Sequence, residues 1–245
     1  MSTKKVQELL AFVRQLPDGM AYAPIYRKGA VTPGGKVSEG KQPTKEAWDR
    51  DLNPEEVASR IERAPDTFQA VGIWTGKRNS GLVILDVDRN LTQLKKKWGD
   101  TLLGAPIITS TKANAAKYLF RVPEALWDEV KGFGLDDSGA GYEVLWGRQG
   151  VIYGAYPGST TGNAPAGEYG FEGDLDVIPE APEWLLAEMK DRYKKPIADG
   201  AFIKNRKGLD FSDRTTEEVA EIIQNALKVI PNKGYGSRTH WIKVG

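Results

Sequence analysis

The sequence has no cysteine and only one histidine, His240, among its 245 residues. Without cysteine there can be no disulfide bonds, thiol nucleophiles or cysteine-based zinc sites. With a single histidine, neither a histidine-dependent catalytic triad nor a histidine-ligated metal centre is expected. The search for chemistry therefore turns to carboxylates, hydroxyls and basic side chains.

The sequence also lacks a long apolar run and a strong excess of one charge. No stretch is long enough to span a membrane and no apolar signal sequence opens the chain, so we expect a cytoplasmic protein with no membrane partner. The net charge of +1 argues against a surface that binds polyanions everywhere, but it allows local basic patches. A hydrophobic content of 40% is enough for a real core.

Composition divides the chain into three parts. We expect residues 1–192 to form the main α+β domain and residues 193–213, which are charged and poor in apolar side chains, to form a linker. Residues 214–245 begin with a capping box and predict a helical appendage. Because the apolar pattern at 241–245 has no helix stop, we expect a fragment of a longer chain, monomeric in this form.

Apolar spacing and turn residues predict most of the elements in the first part. Pro24 places the strand at 20–26 on a sheet edge, and Asn53 and Glu56 predict a capping box at the start of a helix. The remaining predictions are a helix at 6–16, a Gly- and Lys-rich loop at 27–45, a hairpin of 68–74 with 81–88, strands at 107–111 and 117–122, a second hairpin of 142–146 with 151–155, and a helix at 182–192.

The strand at 81–88 ends with two carboxylates, Asp86 and Asp88. Side chains two apart on a strand point to the same face, so this pair forms half of a site for a hard divalent cation. The alternative is that the pair caps the helix that follows. Asn90 can provide that cap by itself, which favours the metal-binding interpretation.

A cation site of this kind needs a third acid, and Glu143 is the best candidate. It is a charged residue inside the otherwise apolar segment 142–146. Alternation within a strand also allows Glu143 to face solvent, and that alternative stays open. Other acids lie in Gly-rich or acidic loops, where solvated turn residues are expected.

Basic and hydroxyl side chains accompany the acids in the sequence. Lys117 follows the polar run at 109–112, which contains Ser110, Thr111 and Lys112, and Arg148 comes shortly after Glu143. If the predicted hairpins share one sheet, these groups converge beside the acids and can bind triphosphate oxygens. Each of them alone is more typical of a solvated surface residue.

The order of these segments resembles the primase-polymerase (prim-pol) domain of the archaeo-eukaryotic primase superfamily, found in plasmid and phage replication proteins. The resemblance covers roughly residues 22–184 and includes 71–76, 81–88, 111–120 and 143–159. The segment Gly40-Lys41-Gln42-Pro43 is similar to the family's Lys-x-Pro segment. Residues 241–245 are similar to the start of a helical primase C-terminal module, which often precedes a helicase domain.

The resemblance implies a fold, a reaction and a set of roles. The fold is α+β, with an RRM-like antiparallel sheet packed with a second small αβ subdomain and a C-terminal helical appendage. Asp86, Asp88 and Glu143 would be the catalytic residues and would hold two Mg²⁺ or Mn²⁺ ions. The enzyme would extend a primer on a single-stranded DNA template with dNTPs or NTPs, in a bacterial or phage-infected host cytoplasm. The predicted nucleotide-binding residues are Lys117, Arg148, Gln149, Ser110, Thr111, Lys112 and Ser159, and the predicted DNA-binding residues are Lys41, Lys36, Lys77 and Arg78.

The sequence departs from the family pattern at one site position and leaves two other functions open. The family usually has a histidine where Lys117 stands, and lysine supplies positive charge without a neutral imidazole. The same acids would also suit a metal-dependent nuclease. A non-catalytic DNA-binding module for replication or origin recognition would keep the fold without the reaction. Trp74, Trp146 and Tyr156 are candidate base-stacking residues, with core packing as the alternative.

Overall fold

The computed structural model describes residues 2–135, 141–158 and 164–194. Met1–Lys194 forms one compact unit. The last helix of this unit extends to Lys194, two residues into the predicted linker. The rest of that linker, the predicted helical appendage at 214–245 and Ser159 lie outside the described residues.

The described residues form five α-helices and eight β-strands. The helices are α1 Thr3–Val13, α2 Lys45–Asp49, α3 Pro54–Arg63, α4 Leu91–Trp98 and α5 Glu183–Lys194. The strands are β1 Tyr22–Tyr26, β2 Phe68–Trp74, β3 Leu82–Val87, β4 Ile107–Thr109, β5 Ala116–Arg121, β6 Tyr142–Leu145, β7 Gln149–Tyr156 and β8 Gly167–Glu172.

Local sequence signals explain the helices well. The apolar stripe predicted for α1 is buried and includes Leu9 and Val13. The capping box of α3 is confirmed: Asn53 Oδ1 accepts a hydrogen bond from Glu56 N at 2.9 Å, and Glu56 Oε2 accepts one from Asn53 N at 3.1 Å. The capping box satisfies backbone N–H groups at the start of α3 that would otherwise have no partner within the helix.

One antiparallel sheet runs through the described residues in the order β1-β2-β7-β8-β4-β5-β3-β6. This confirms the α+β class, whereas the finer division into an RRM-like sheet and a second subdomain stays a prediction. Both predicted hairpins are wrong: β2 pairs with β1 and β7, and β3 pairs with β5 and β6. The segments 142–146 and 151–155 likewise form strands that do not pair with each other.

The hairpins fail because these strands are buried on both faces. Every residue of β2 and of β3 is buried, so apolar content alone does not specify which strand lies alongside. Between them the chain makes a short 3₁₀ turn at Lys77–Asn79, and only an isolated bridge from Gly76 to Leu82 joins the two ends. The connection therefore redirects the chain into the other half of the sheet.

The sheet curls so that strands from its two halves pack face to face. Ile84 on β3 and Ile73 on β2 belong to the same apolar core although their strands are not neighbours. A Cβ at Gly150 on β7 would lie 2.7 Å from Ile84 Cδ1, so the two halves touch there. The opposite face of β3, with Val83 and Leu85, packs with α5 in a second core. Asp86 shares the inner face with Ile84.

The outer edge of β1 is closed by the chain itself. Tyr22 N donates to Leu52 O and Tyr26 N donates to Gln42 O, each at 2.9 Å. Pro24 lies between them and has no backbone N–H. The predicted edge position of this strand is confirmed.

None of the helices that the structure describes is long and apolar enough to cross a lipid bilayer.

Candidate active site

The pairing of three strands places a lysine and two acids in one row. Lys117 on β5 is the register partner of Asp86 on β3, and Asp86 is the register partner of Glu143 on β6. Directly opposed residues on neighbouring antiparallel strands point to the same face. The row therefore crosses the inner face of the sheet. The predicted site residues meet there through these strand pairs and not through the hairpins that the sequence predicted.

Asp88 lies just after the end of β3, two residues beyond Asp86, and adds a third acid near the row. Its backbone N–H donates to Gly141 O at 3.0 Å, and its Oδ1 accepts a hydrogen bond from Lys112 Nζ. It does not cap α4. Asn90 occupies the N-cap position in a left-handed conformation, but its side chain makes no capping hydrogen bond, so that prediction is wrong. The side chain of Asn114 takes this role, accepting from Thr92 N at 2.8 Å.

The row opens into a cavity of about 350 Å³. Such a volume is in the range of small-molecule binding sites. Side chains from both halves of the sheet and from the loops that contain Lys41, Asp88 and Ser110 surround the cavity. Its lining includes Lys41, Asp86, Asp88, Thr109, Ser110, Lys112, Lys117, Leu135, Glu143, Tyr156 and Tyr169.

Lys117 and Asp86 form an enclosed ion pair. Lys117 Nζ donates to Asp86 Oδ2, and only 16% of the lysine side chain and 12% of the aspartate side chain are exposed. Burial by itself lowers the pKa of Lys117, but attraction to Asp86 and Glu143 outweighs it and raises that pKa above its ordinary value. The ammonium is therefore held in its charged form.

Glu143 has the opposite electrostatic environment. Burial and the charge of Asp86 raise its pKa, while Lys117 and Arg148 only partly counter this effect. Within the described part of the chain, Glu143 makes no salt bridge. A further cation nearby would stabilise the charged form of a carboxylate in this position.

Two tyrosines form one wall of the cavity. The rings of Tyr156 and Tyr169 meet edge to face with centroids 5.2 Å apart, and Lys117 Nζ lies 6.0 Å from the centroid of the Tyr169 ring. Burial raises the pKa of Tyr169 to about 12, so its hydroxyl stays neutral at physiological pH. Tyr156 was a predicted stacking residue, whereas Tyr169 was not singled out from the sequence.

A tightly docked loop brings Lys41 to the cavity. Gly40 adopts φ +87°, and a Cβ there would lie 2.7 Å from Gln69 Nε2 and 2.9 Å from Pro157 Cβ, so only glycine fits well. Gln69 Nε2 donates to Gly40 O at 3.0 Å. Lys41 Nζ then lies over the Tyr156 ring, 5.7 Å from its centroid. Lys41 was predicted to bind DNA, and the structure places it beside the acids.

Three predicted nucleotide-binding residues lie outside the cavity lining. Thr111 Oγ1 donates to Pro165 O at 2.9 Å and supports β8. The side chain of Gln149 lies over Gly72, and its buried Nε2 has no hydrogen-bond partner among the described residues. Arg148 is exposed, and its charge still acts on Glu143. Ser110, Lys112 and Lys117, by contrast, all line the cavity.

The other predicted DNA contacts also lie outside the cavity lining. Lys36 is exposed in the loop 27–45. Lys77 forms a salt bridge with Asp128, and Arg78 pairs with Asp51 and packs over the Trp74 ring. Trp74 itself is buried, and partly buried Trp146 packs against the second core, as the core-packing alternative predicted. Binding of DNA by these cations stays a prediction.

The donor chemistry of the cavity suits a hard divalent cation. Carboxylate oxygens are preferred by Mg²⁺ and Mn²⁺, and the unpaired charge of Glu143 favours a cation beside it. Among the described residues, however, no group of three or more His, Cys, Asp or Glu is arranged to hold a metal ion as the side chains stand. Asp86 and Asp88 are each engaged with a lysine instead, so their role as metal ligands stays a prediction.

Comparison with known proteins agrees with this geometry. Residues 16–184 match the Prim-Pol family model, described as "Bifunctional DNA primase/polymerase, N-terminal". No curated protein sequence matches the chain at a significant level. The matched residues cover more than half of the chain and contain β1 to β8 with the whole cavity lining. The chain therefore belongs to the Prim-Pol family of bifunctional DNA primase/polymerase N-terminal domains.

Proposed function

We propose that this chain is a template-directed DNA primase-polymerase that transfers nucleotides from dNTPs or NTPs to a 3′-hydroxyl. Membership of the Prim-Pol family implies DNA primase/polymerase function in general. The observation that carries the finer proposal is the row of Lys117, Asp86 and Glu143 at the floor of one cavity. Such a row offers ligands for cations and a positive group for phosphate within the same space.

Asp86, Asp88 and Glu143 would hold the divalent cation. The sequence predicts two Mg²⁺ or Mn²⁺ ions here. When bound, such ions would activate the attacking hydroxyl and neutralise charge on the departing pyrophosphate. The carboxylate oxygen atoms of Asp86, Asp88 and Glu143 are suited to holding such ions. Burial and the charge of Asp86 raise the pKa of Glu143, so a cation beside it would favour its charged form.

The lysines would bind the triphosphate without leaving the acids. An ammonium group has three N–H donors, and the ion pairs of Lys117 and Lys112 each use one of them on a carboxylate. The remaining donors face the cavity and can bind phosphate oxygens. Lys41 adds a third ammonium to the cavity lining, where it lies over Tyr156.

The template would follow the Lys-rich loop 27–45 toward the cavity. Lys41 anchors the end of this loop beside the site, and Lys36 is exposed farther along it. Positive charge along a groove is how proteins track a single strand. Tyr156 and Tyr169 line the cavity but are buried in the main core, so they would shape the wall beside an incoming nucleotide rather than stack on its base.

The proposal is tested by incubating wild type and Asp86→Ala/Asp88→Ala with unprimed single-stranded template, Mn²⁺ and labelled nucleotides. We expect template-dependent product from the wild type and a loss of 100-fold or more in the variant, on the order of 3 kcal/mol in the barrier. Asp174→Ala/Asp176→Ala is the matched control, because this second Asp-x-Asp is exposed and outside the cavity lining. Equal product from the wild type and the cavity variant would refute the proposal.

The same assay separates the two other functions. A nuclease would shorten labelled single-stranded DNA with Mn²⁺ alone, and added dNTPs would not produce longer strands. A non-catalytic module would bind the DNA with equal affinity in the wild type and in Asp86→Ala, and neither protein would synthesise product.

A further inference from the structure

Each aspartate of the site already has a cation in contact. Lys117 Nζ donates to Asp86 Oδ2, and Lys112 Nζ donates to Asp88 Oδ1. The first pair is the more enclosed, since its side chains are 16% and 12% exposed, compared with 28% and 32% in the second. The ammonium of Lys117 thus belongs to the floor of the cavity.

The position of Lys117 is fixed by the sheet rather than by its own flexibility. Its backbone is opposite Asp86 in a strand pair that extends from Leu82 to Val87. Tyr169 covers the same side chain, with its ring centroid 6.0 Å from Nζ. A lysine held between a strand and an aromatic ring cannot swing into solvent without breaking its bond to Asp86. A ligand entering the cavity therefore meets the ion pair in place.

The two lysine bonds limit the oxygens that remain for metal ions. One oxygen of Asp86 and one of Asp88 each accept a hydrogen bond from an ammonium group, so the oxygens without a lysine in contact are the other oxygen of each aspartate and both oxygens of Glu143. Two divalent ions about 3.5–4 Å apart need carboxylates that share their oxygens between the ions. The ammonium of Lys117, which is bonded to Asp86 in the middle of the row, also repels a second divalent ion, because charges in an enclosed site are weakly screened.

We propose that Lys117 is a resident cation of this site and takes the place of one of the two divalent ions predicted from the sequence. In the absence of nucleotide, the protein then binds a single Mg²⁺ or Mn²⁺ ion with the free oxygens of Asp86, Asp88 and Glu143. This inference rests on the proposed function and deepens it, since it states how many ions the protein itself holds. Lys117 stays bonded to Asp86 when the ion binds.

The test is a titration of the full 245-residue chain with Mn²⁺ alone, followed by electron paramagnetic resonance. We expect one bound ion per wild-type chain and no spin coupling between ions. Lys117→Met frees Asp86 Oδ2 and is expected to bind two ions with a broadened, coupled spectrum. Lys41→Met is the matched control: it removes the same charge from the same cavity, but its ammonium lies over Tyr156 and not on a carboxylate, so one ion is expected.

Two ions in the wild type, or a single ion in both the wild type and Lys117→Met, would overturn the inference. Thermal melting establishes that each variant is folded, and if Lys117→Met does not fold, the wild-type count alone decides. A wild type that makes template-dependent product but binds any number of ions other than one refutes only this inference. A wild type that binds no Mn²⁺ and makes no product refutes the proposed function as well.

Discussion

Replacing Lys117 by methionine is expected to lower the free energy of unfolding by about 3 kcal/mol. The change keeps an unbranched side chain one atom shorter than lysine but leaves Asp86, only 12% exposed, without its cation. Unit charges about 4 Å apart attract by roughly 4 kcal/mol at an effective dielectric constant of about 20. Breaking a buried pair costs about 3–5 kcal/mol, and the residual exposure of this pair favours the lower end.

The size of this effect can be compared with that of an exposed pair. Lys77→Met breaks the salt bridge with Asp128, whose side chains are 53% and 88% exposed, and is expected to cost less than about 1 kcal/mol. Urea denaturation followed by tryptophan fluorescence measures both variants. In a double-mutant cycle, adding Asp86→Asn to Lys117→Met should recover much of the loss, because residue 86 is then no longer a buried carboxylate without its cation.

Addition of Mn²⁺ provides a second readout. It should stabilise Lys117→Met more than the wild type, since a bound ion compensates the unpaired charge of Asp86 and binding to the folded state raises stability. A cost for Lys117→Met no larger than that for Lys77→Met would refute the reasoning, because the pair would then behave as a solvated one.

Three further predictions concern other parts of the domain. Asn53→Ala removes the capping box of α3 and should lower the free energy of unfolding by about 1 kcal/mol, measured by urea denaturation, while Mn²⁺ binding stays unchanged. Gly40→Ala places a Cβ against Gln69 and Pro157 at φ +87° and should lower the free energy of unfolding by about 1–3 kcal/mol. It should also weaken dNTP binding, measured by fluorescence anisotropy of a labelled nucleotide. Unchanged binding would show that the position of Lys41 does not depend on this loop geometry. Burial and the charge of Asp86 raise the pKa of Glu143 in the folded state, so its contribution to stability is present below the unfolded pKa and is lost as the pH rises through the folded pKa. Glu143→Gln should therefore gain stability relative to the wild type as the pH rises above the ordinary range of a glutamate, and a pH-independent difference in melting temperature would contradict this sign.

Local signals predicted the elements much better than their partners. The strand at 81–88, the capping box at Asn53 and the helix that begins near residue 182 depend on neighbouring residues, and the structure has all of them. The pairing of β2 and β3 depends on residues far apart in the chain. Their uniformly apolar character is compatible with several neighbours, and short connections made a hairpin the simplest expectation.

One strand was not predicted at all. The β8 segment Gly167–Glu172 contains four glycine or glutamate positions and two aromatic ones, and it resembles a surface loop in composition. Alternation of Tyr169 and Phe171 with Gly and Glu was the available signal, because aromatic residues two apart point to one face. This strand joins β7 to β4 and so connects the two halves of the sheet.

The residue types of the site were predictable, but the contacts between them were not. Asp86, Asp88 and Glu143 were identified because charged residues on apolar strands are unusual. The bond of Lys117 to Asp86 depends on the register of β5 against β3, which the sequence does not specify. The approach of Lys41 depends on how Gly40 packs against Gln69. Gln149 and Thr111 were also predicted to bind nucleotide; they lie outside the cavity lining, and that role stays a prediction.

The closed edge of β1 has a consequence for the behaviour of the protein in concentrated solution. A foreign strand that approached this edge would find the donors of Tyr22 and Tyr26 already taken, and at Pro24 there is no donor to offer. Growth of the sheet from one molecule into the next is therefore blocked at the β1 edge. A wide sheet is thus protected on this side by the chain's own loops rather than by charged side chains.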